Sequence, residues 1–187
     1  MTDYKKTVLI TGASRGIGRA CAVELARTGH ALVLNSRRPS ADRTAIEADI
    51  AANGAYWGVV LNAGVTCDNA FPALEEEDWK RVIDVDLNGF YNVIHPVVMP
   101  MVRARKGGRI VTMSSVSGVT GNRGQTNYSA AKAGLDMNEI AREHAMAMIP
   151  MQRIGTPEEV AAVVGFLMDE RASYITRQVI NVNGGMI

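Results

Sequence analysis

The feature that most constrains the fold is a glycine-rich turn between an apolar run and an amphipathic segment, "VLITGASRGIGRA". Residues 8–11 form the apolar run, which is typical of a buried parallel strand. Residues 17–28 follow with apolar side chains along one helical stripe, and Gly29 is typical of a helix end. The segment therefore predicts a strand, a tight turn and a helix in succession.

The same alternation continues along the chain. Further strands are predicted at 30–35, 57–64, 108–115 and 178–185, and helices near 76–85, 87–105, 128–147 and 157–168. In the last helix, Pro157 takes the first helical position, and Thr156 with Glu159 predicts a capping box. Strands alternating with helices predict an α/β fold with a doubly wound Rossmann-type parallel sheet, in a single domain over 1–187.

The composition of the chain narrows the kinds of function that we expect for it. The chain has 187 residues and a formal net charge of +1 at pH 7, which gives no argument for nucleic acid or an anionic membrane. Its two cysteines, Cys21 and Cys67, are far apart, so neither a disulfide nor a metal site is expected. No apolar run reaches membrane-spanning length. We expect a soluble, cytoplasmic protein.

Glycines cluster at the first strand-to-helix turn, at Gly12, Gly16 and Gly18. A diphosphate can approach the backbone closely here, and the helix N-terminus offers N–H groups and the positive end of its dipole. The alternative is a tight turn that needs glycine only for packing. We favour a dinucleotide site, and the loop then adds three candidate binding residues: Ser14, Arg15 and Ile17.

The TGxxxGxG spacing resembles the short-chain dehydrogenase/reductase family, and the resemblance runs from the first strand to Gly185. Asn62, Ala63 and Gly64 resemble the family's NNAG motif, although Leu61 occupies the place of its first Asn. The resemblance implies that these residues bind beside the adenine side of a nicotinamide dinucleotide.

The residues after the second strand bear on the choice of cofactor. An Asp or Glu there would bind the ribose hydroxyls and repel a 2′-phosphate. The segment "LNSRRPS" instead carries Ser36, Arg37 and Arg38. Arg37, together with Arg15, suits a phosphate by geometry and charge. We expect NADP(H); the alternative is that the arginines are solvated surface charges.

Tyr128 and Lys132 lie four residues apart in an alanine-rich segment, and Ser115 ends a predicted strand. This set resembles the family's catalytic residues, which implies that Ser115 binds the carbonyl oxygen and Lys132 also holds the nicotinamide ribose. Tyr128 would be the acid. A free tyrosine has a pKa near 10, and a cation one helical turn away should lower the pKa of Tyr128. Ser114 falls on the opposite face of the strand. The alternative is a packing tyrosine and a solvated lysine.

The family's fourth catalytic residue is an Asn, in a helix that "RVIDVDLNGFY" resembles. By register this position is Asp86, with Asn88 two residues further on. The resemblance implies a water leading to Lys132, and a carboxylate can accept a hydrogen bond from that water but cannot donate one. We expect a working relay with an altered pH dependence.

The segments "GNRGQTNYSAAKAGL" and "VNGGMI" resemble the β-ketoacyl-[acyl-carrier-protein] reductase branch. This implies NADPH-dependent reduction of a 3-oxoacyl thioester by a homotetramer. An acidic carrier protein could dock on five basic residues: Arg103, Arg105, Lys106, Arg109 and Arg123. The first four could equally compensate a helix dipole. Rival functions are reduction of another carbonyl (a 3-oxoacyl-CoA, a sugar or a xenobiotic ketone) and a catalytically silent nucleotide-binding scaffold.

The chain is short for this family, whose members have roughly 240–250 residues. The region between about 43 and 57 is too short for the strands and helices expected there, since one strand–helix–strand unit needs about 30 residues. After 135, "AGL" runs directly into "DMNEI" without the sixth strand. We expect the native polypeptide to carry further internal residues at both places.

Overall fold

The computed structural model describes residues 6–36, 43–134 and 149–186. The chain falls into two compact units, each built from three segments. The first unit comprises Met1–Ala63, Tyr91–Thr112 and Thr156–Arg177, and the second comprises Gly64–Phe90, Met113–Gly155 and Gln178–Ile187.

A four-stranded parallel sheet forms the centre of the first unit. Its strands are β1 (Thr7–Ile10), β2 (Ala31–Leu34), β3 (Gly58–Leu61) and β4 (Arg109–Thr112), in the order β2-β1-β3-β4. In this register Val8 lies opposite Leu32 of β2 and Gly58 of β3. β1 and β3 are apolar runs because both are buried. The Rossmann-type α/β class predicted from the sequence is confirmed.

Seven α-helices occur among the described residues: α1 (Gly16–Arg27), α2 (Arg43–Asn53), α3 (Glu76–Ile83), α4 (Gly89–Ala104), α5 (Val116–Thr120), α6 (Thr126–Ala133) and α7 (Pro157–Leu167). α1 buries the predicted stripe, with Cys21 and Leu25 fully inaccessible. The predicted capping box of α7 is confirmed, since Thr156 and Glu159 each accept from the other's backbone N–H.

The core of the first unit packs the sheet against α2 and α4. Its buried members are Leu9, Ile46, Tyr56, Val59, Leu61, Val93, Val97 and Met101. Sequence reasoning assigned no element to the stretch that forms α2. That helix contributes Ile46, which is 2% exposed, and it occupies the described part of the connection between β2 and β3.

Two predicted elements differ from the structure. The described residues of 178–185 form no strand, and Val179, Ile180 and Val182 are 40–50% exposed. Apolar alternation is not sufficient here, because a strand also needs a neighbour for its backbone hydrogen bonds. The helix predicted over 128–147 begins as α6, and its part from 135 lies outside the described residues.

Two features of the described residues bear on other classes of function. None of their helices is long and apolar enough to cross a membrane. Nor do they contain a group of three or more His, Cys, Asp or Glu side chains that could hold a metal ion.

Candidate active site

Glycines shape the turn between β1 and α1. Gly12 has a φ of +66° and Gly16 a φ of +53°, in the left-handed region that favours glycine. A Cβ added at Gly12 would lie 2.9 Å from the Cα of Ala63. One added at Gly18 would overlap the Asn62 amide and the Gly12 carbonyl oxygen. The glycines therefore allow the turn to pack directly on the end of β3.

Neutral hydrogen bonds fix the turn to the residues after β3. The Thr11 hydroxyl accepts from the backbone N–H of Asn62 at 3.0 Å and of Ala63 at 3.1 Å. In return, the Asn62 amide donates to the carbonyls of Thr11 and Gly12, each at 3.2 Å. Two of the three motif residues predicted beside the cofactor thus hold the glycine turn. Sequence reasoning did not single out Thr11 as their partner.

The N-terminus of α1 fits an anionic ligand. Its N-cap residue, Arg15, makes no side-chain cap hydrogen bond, and the first turn contains no acidic residue. Ser14, Arg15 and Gly16 are exposed, and a Cβ added at Gly16 would meet no atom within 4 Å. The first turn, which includes Ile17, therefore begins at an exposed stretch of the chain. The backbone N–H groups of such a helix N-terminus suit the diphosphate of a dinucleotide.

The predicted determinant of phosphate preference cannot be placed in the same way. Arg37 and Arg38 lie outside the described residues. Ser36 is the last described residue after β2, and it is half-buried. The preference for a 2′-phosphate stays a prediction.

Ser115 and Tyr128 come together in the second unit. Ser115 is the N-cap of α5, and its hydroxyl accepts from the Ser117 N–H at 3.2 Å. Its side chain also hydrogen-bonds Tyr128, which lies in α6. The neighbouring Ser114 makes a different contact, donating to the Lys132 carbonyl at 3.1 Å. The two serines are thus separated in role, and Ser115 is the one beside the phenol.

The pKa of Tyr128 is raised, which differs from the predicted lowering by Lys132. Burial disfavours the phenolate, while the hydrogen bond from Ser115 favours it and lowers the pKa. The negative charges of Asp86 and Asp68 raise the pKa further. The Lys132 ammonium lies 5.6 Å from the centre of the tyrosine ring and is directed to Asp86 instead. Tyr128 is therefore protonated at neutral pH in this structure.

A buried ion pair joins Lys132 to Asp86. The Lys132 Nζ lies 3.4 Å from Asp86 Oδ2 and donates to the Met113 carbonyl at 3.2 Å. Asp86 Oδ1 accepts from the Val65 N–H at 2.8 Å. Burial lowers the pKa of Lys132 and raises the pKa of Asp86, and in each group the opposite charge of its partner works against the shift. The carboxylate thus forms a direct ion pair with the lysine.

Backbone geometry turns Asp86 inward. The helical stretch between α3 and α4 is a π-helix, Asp84–Asn88. Asp86 is 3% exposed in it, while its neighbours Asp84 and Asn88 are exposed and hydrogen-bond each other at 2.7 Å. Such single-turn π segments are frequent at functional sites. No sequence signal indicated this turn.

Asn127 is a further residue that sequence reasoning missed. It is fully buried, and its amide donates to the carbonyls of Cys67 at 3.1 Å and Asp78 at 3.4 Å. Its side-chain oxygen accepts from the Tyr128 N–H at 2.8 Å. Asn127 therefore anchors the first turn of α6, the turn that carries the tyrosine. Its only sequence signal is its place directly before Tyr128.

Comparisons with known proteins identify the family of the chain. Residues 6–56 and 43–157 match the family described as short chain dehydrogenase, and residues 136–187 match the one described as Enoyl-(Acyl carrier protein) reductase. A 3-oxoacyl-[acyl-carrier-protein] reductase FabG from Aggregatibacter actinomycetemcomitans is 45% identical over 240 residues, which cover 97% of this chain and 99% of the relative. The FabG of Pseudomonas aeruginosa is 34% identical over 246 residues, with 100% and 99% covered.

A glycine turn between the first strand and the first helix of a Rossmann-type sheet is typical of dinucleotide-binding proteins, and the matches place this one among the oxidoreductases. With these matches, the chain belongs to the short-chain dehydrogenase family, in the branch that contains the FabG reductases. Both alignments are longer than the 187 residues of the chain, so these relatives have internal residues without a counterpart in it. That the native polypeptide carries such internal residues stays a prediction.

Proposed function

We propose that the protein reduces the 3-oxo group of an acyl thioester on acyl carrier protein to the 3-hydroxyacyl form, with NADPH as the reductant. The observation that carries the proposal is the hydrogen-bonded pair of Ser115 and Tyr128 in a chain that is 45% identical to a 3-oxoacyl-[acyl-carrier-protein] reductase. Tyr128 carries its proton at neutral pH, so it can donate that proton to the carbonyl oxygen as the oxygen becomes negative.

Each residue of the site has a distinct part in this reaction. The turn from Gly12 to Gly18 would hold the cofactor, and the reduced nicotinamide supplies the hydride when it is bound. Ser115 orients the carbonyl by donating a hydrogen bond to its oxygen. As negative charge develops on that oxygen, Tyr128 transfers its phenolic proton to it. The Lys132 ammonium, which is paired with Asp86 before the reaction and lies 5.6 Å from the centre of the tyrosine ring, would stabilise the phenolate once it forms.

The preference for NADPH is a finer part of the proposal. Arg15 is exposed at the glycine turn, and Asn35 and Ser36 bring no acidic side chain to the end of β2. A 2′-phosphate therefore meets no repulsion from the described residues there. Arg15→Ala and Arg37→Ala should each lower kcat/KM for NADPH more than for NADH. Equal losses with both cofactors would contradict the preference.

The docking of acyl carrier protein is the second more specific part of the proposed function. Arg103 and Arg105 are exposed at the end of α4, and Arg123 is exposed before α6. Arg109 donates instead to the Leu167 carbonyl at 3.2 Å, so its guanidinium has an internal contact. We expect Arg105→Glu to raise KM for a carrier-protein thioester and to leave KM for the matching CoA thioester unchanged.

The expected homotetramer and cytoplasmic location also stay predictions.

The direct test combines mass and turnover. Intact mass of the purified protein should exceed 20.1 kDa if the expected internal residues exist. NADPH oxidation should then depend on an acetoacetyl thioester and be abolished in Tyr128→Phe. NADPH binding without turnover across a panel of carbonyls would support the silent scaffold. Turnover of a sugar or xenobiotic ketone with none of the thioester would support the other rival.

A further inference from the structure

Asp86 and Lys132 form a buried ion pair that the proposed reaction does not by itself explain. Their side chains are 0% and 5% exposed. A buried charge is costly unless it is paired and hydrogen-bonded. Where the family resemblance implies a neutral amide that holds a water, this chain has a carboxylate in direct contact with the ammonium.

The surrounding backbone leaves room for the ion pair and orients it. The Val65 N–H orients Asp86 through Oδ1, which leaves Oδ2 turned to Lys132. A Cβ added at Gly64 would lie 2.9 Å from Asp86 Oδ2 and 3.4 Å from Lys132 Nζ, so the glycine leaves the room in which the two groups meet. The Met113 carbonyl also accepts from the ammonium, at 3.2 Å. Backbone groups from two segments, after β3 and after β4, thus surround one ion pair.

We propose that Asp86 is a positioning residue that fixes the Lys132 ammonium by a direct buried ion pair and so holds it beside the ring of Tyr128. The inference rests on the proposed function, in which Tyr128 is the proton donor. Asp86 acts through Lys132 and Tyr128 and does not itself contact the substrate.

The charges around Tyr128 set the direction of the effect. Asp86 lies on the π-helix, Asp68 on the segment after β3, and Lys132 on the same helix as the tyrosine. Asp68 is held by the Gln125 amide at 2.9 Å and is untouched by changes at Asp86. Removing the Asp86 charge should lower the pKa of Tyr128, because one of two negative charges that oppose its ionisation is gone. It should also lower the pKa of Lys132, which loses its counter-charge.

The test compares Asp86→Asn with Asp84→Asn, a matched control on the same π-helix whose side chain is exposed. The alkaline limb of the kcat profile for NADPH oxidation should move to lower pH by roughly 0.5–1 unit in Asp86→Asn. It should stay in place in Asp84→Asn. Asp86→Ala, which cannot hydrogen-bond, should lose at least about tenfold in kcat, whereas Asn retains most of it. An unmoved limb in Asp86→Asn would overturn the proposal.

A second measurement needs no turnover. Urea unfolding of Asp86→Asn, Lys132→Met and the double variant forms a double-mutant cycle. Breaking a buried pair by removing one partner should change the unfolding constant on the order of 100-fold, and the double variant should recover a large part of it. Additive single effects would contradict the direct pair. Strong coupling in a protein that reduces no carbonyl would leave the pair in place and reject the proposed function instead.

Discussion

The glycine turn and the Asp86–Lys132–Tyr128 site hold their functional groups in opposite ways. The turn is fixed by backbone geometry and by neutral hydrogen bonds from Thr11 and Asn62. The site depends on buried charges whose pKa values are shifted by burial and by one another. Substitutions in the turn should therefore act sterically, with the same effect at every pH. Substitutions in the site should act through charge, with effects that depend on pH.

The largest expected effect belongs to the charged site. Tyr128→Phe removes the proton donor, and kcat should fall by about 10³-fold because general acid catalysis contributes on the order of 10²–10⁴. NADPH affinity should change by less than about twofold, since the ring remains. Steady-state kinetics and fluorescence titration separate the two quantities. Tyr91→Phe, at an exposed position on α4, is the matched control and should behave as wild type.

Gly18→Ala tests the turn by steric means. The added Cβ overlaps the Asn62 amide and the Gly12 carbonyl, so the free energy of unfolding should fall by about 3 kcal/mol. The Kd for NADPH should rise at least about tenfold, by the same factor at acidic and alkaline pH. Gly29→Ala is the control: its φ is +86°, but its Cβ meets no atom within 4 Å. A loss of affinity equal to that of Gly18→Ala would refute a local steric effect.

The two regions also differ in how far the sequence predicts them. The glycine turn follows from local chemistry, because the spacing of Gly12, Gly16 and Gly18 between an apolar run and a helix admits few backbone conformations. The spacing of Tyr128 and Lys132 likewise places both on one helix. What these patterns do not contain is the partner that each side chain meets. Lys132 was expected to act on the phenol, and it contacts Asp86 instead.

The features that sequence reasoning missed depend on distant segments. The π-helix around Asp86 is a backbone irregularity without a residue signature. The buried contacts of Asn127 join segments 49 and 60 residues away along the chain. The strand predicted over 178–185 was wrong for a similar reason, because local apolar pattern cannot supply a pairing neighbour. Helix caps such as Thr156 with Glu159 were predictable because both partners are local.

Thr11→Val sharpens the comparison from the side of the turn. Valine keeps the shape of threonine but removes the acceptor of the Asn62 and Ala63 N–H groups, which would lose their hydrogen bonds. The free energy of unfolding should fall by about 2 kcal/mol. Thr11→Ser keeps the hydroxyl and should lose less than half of that. Urea denaturation at several pH values measures both, and a loss that changes with pH would contradict the neutral character of the turn.

The smallest effect is expected outside both regions. Thr156→Ala removes the N-cap of α7, whose hydroxyl accepts from the Glu159 N–H at 3.3 Å. The free energy of unfolding should fall by about 1 kcal/mol. Neither the Kd for NADPH nor the alkaline limb of kcat should move, because Thr156 touches neither the turn nor the buried charges. If Thr156→Ala shifted either quantity, general loss of stability would account for part of the effects assigned to Gly18 and Asp86. An unchanged profile ties those effects to the local contacts of each region.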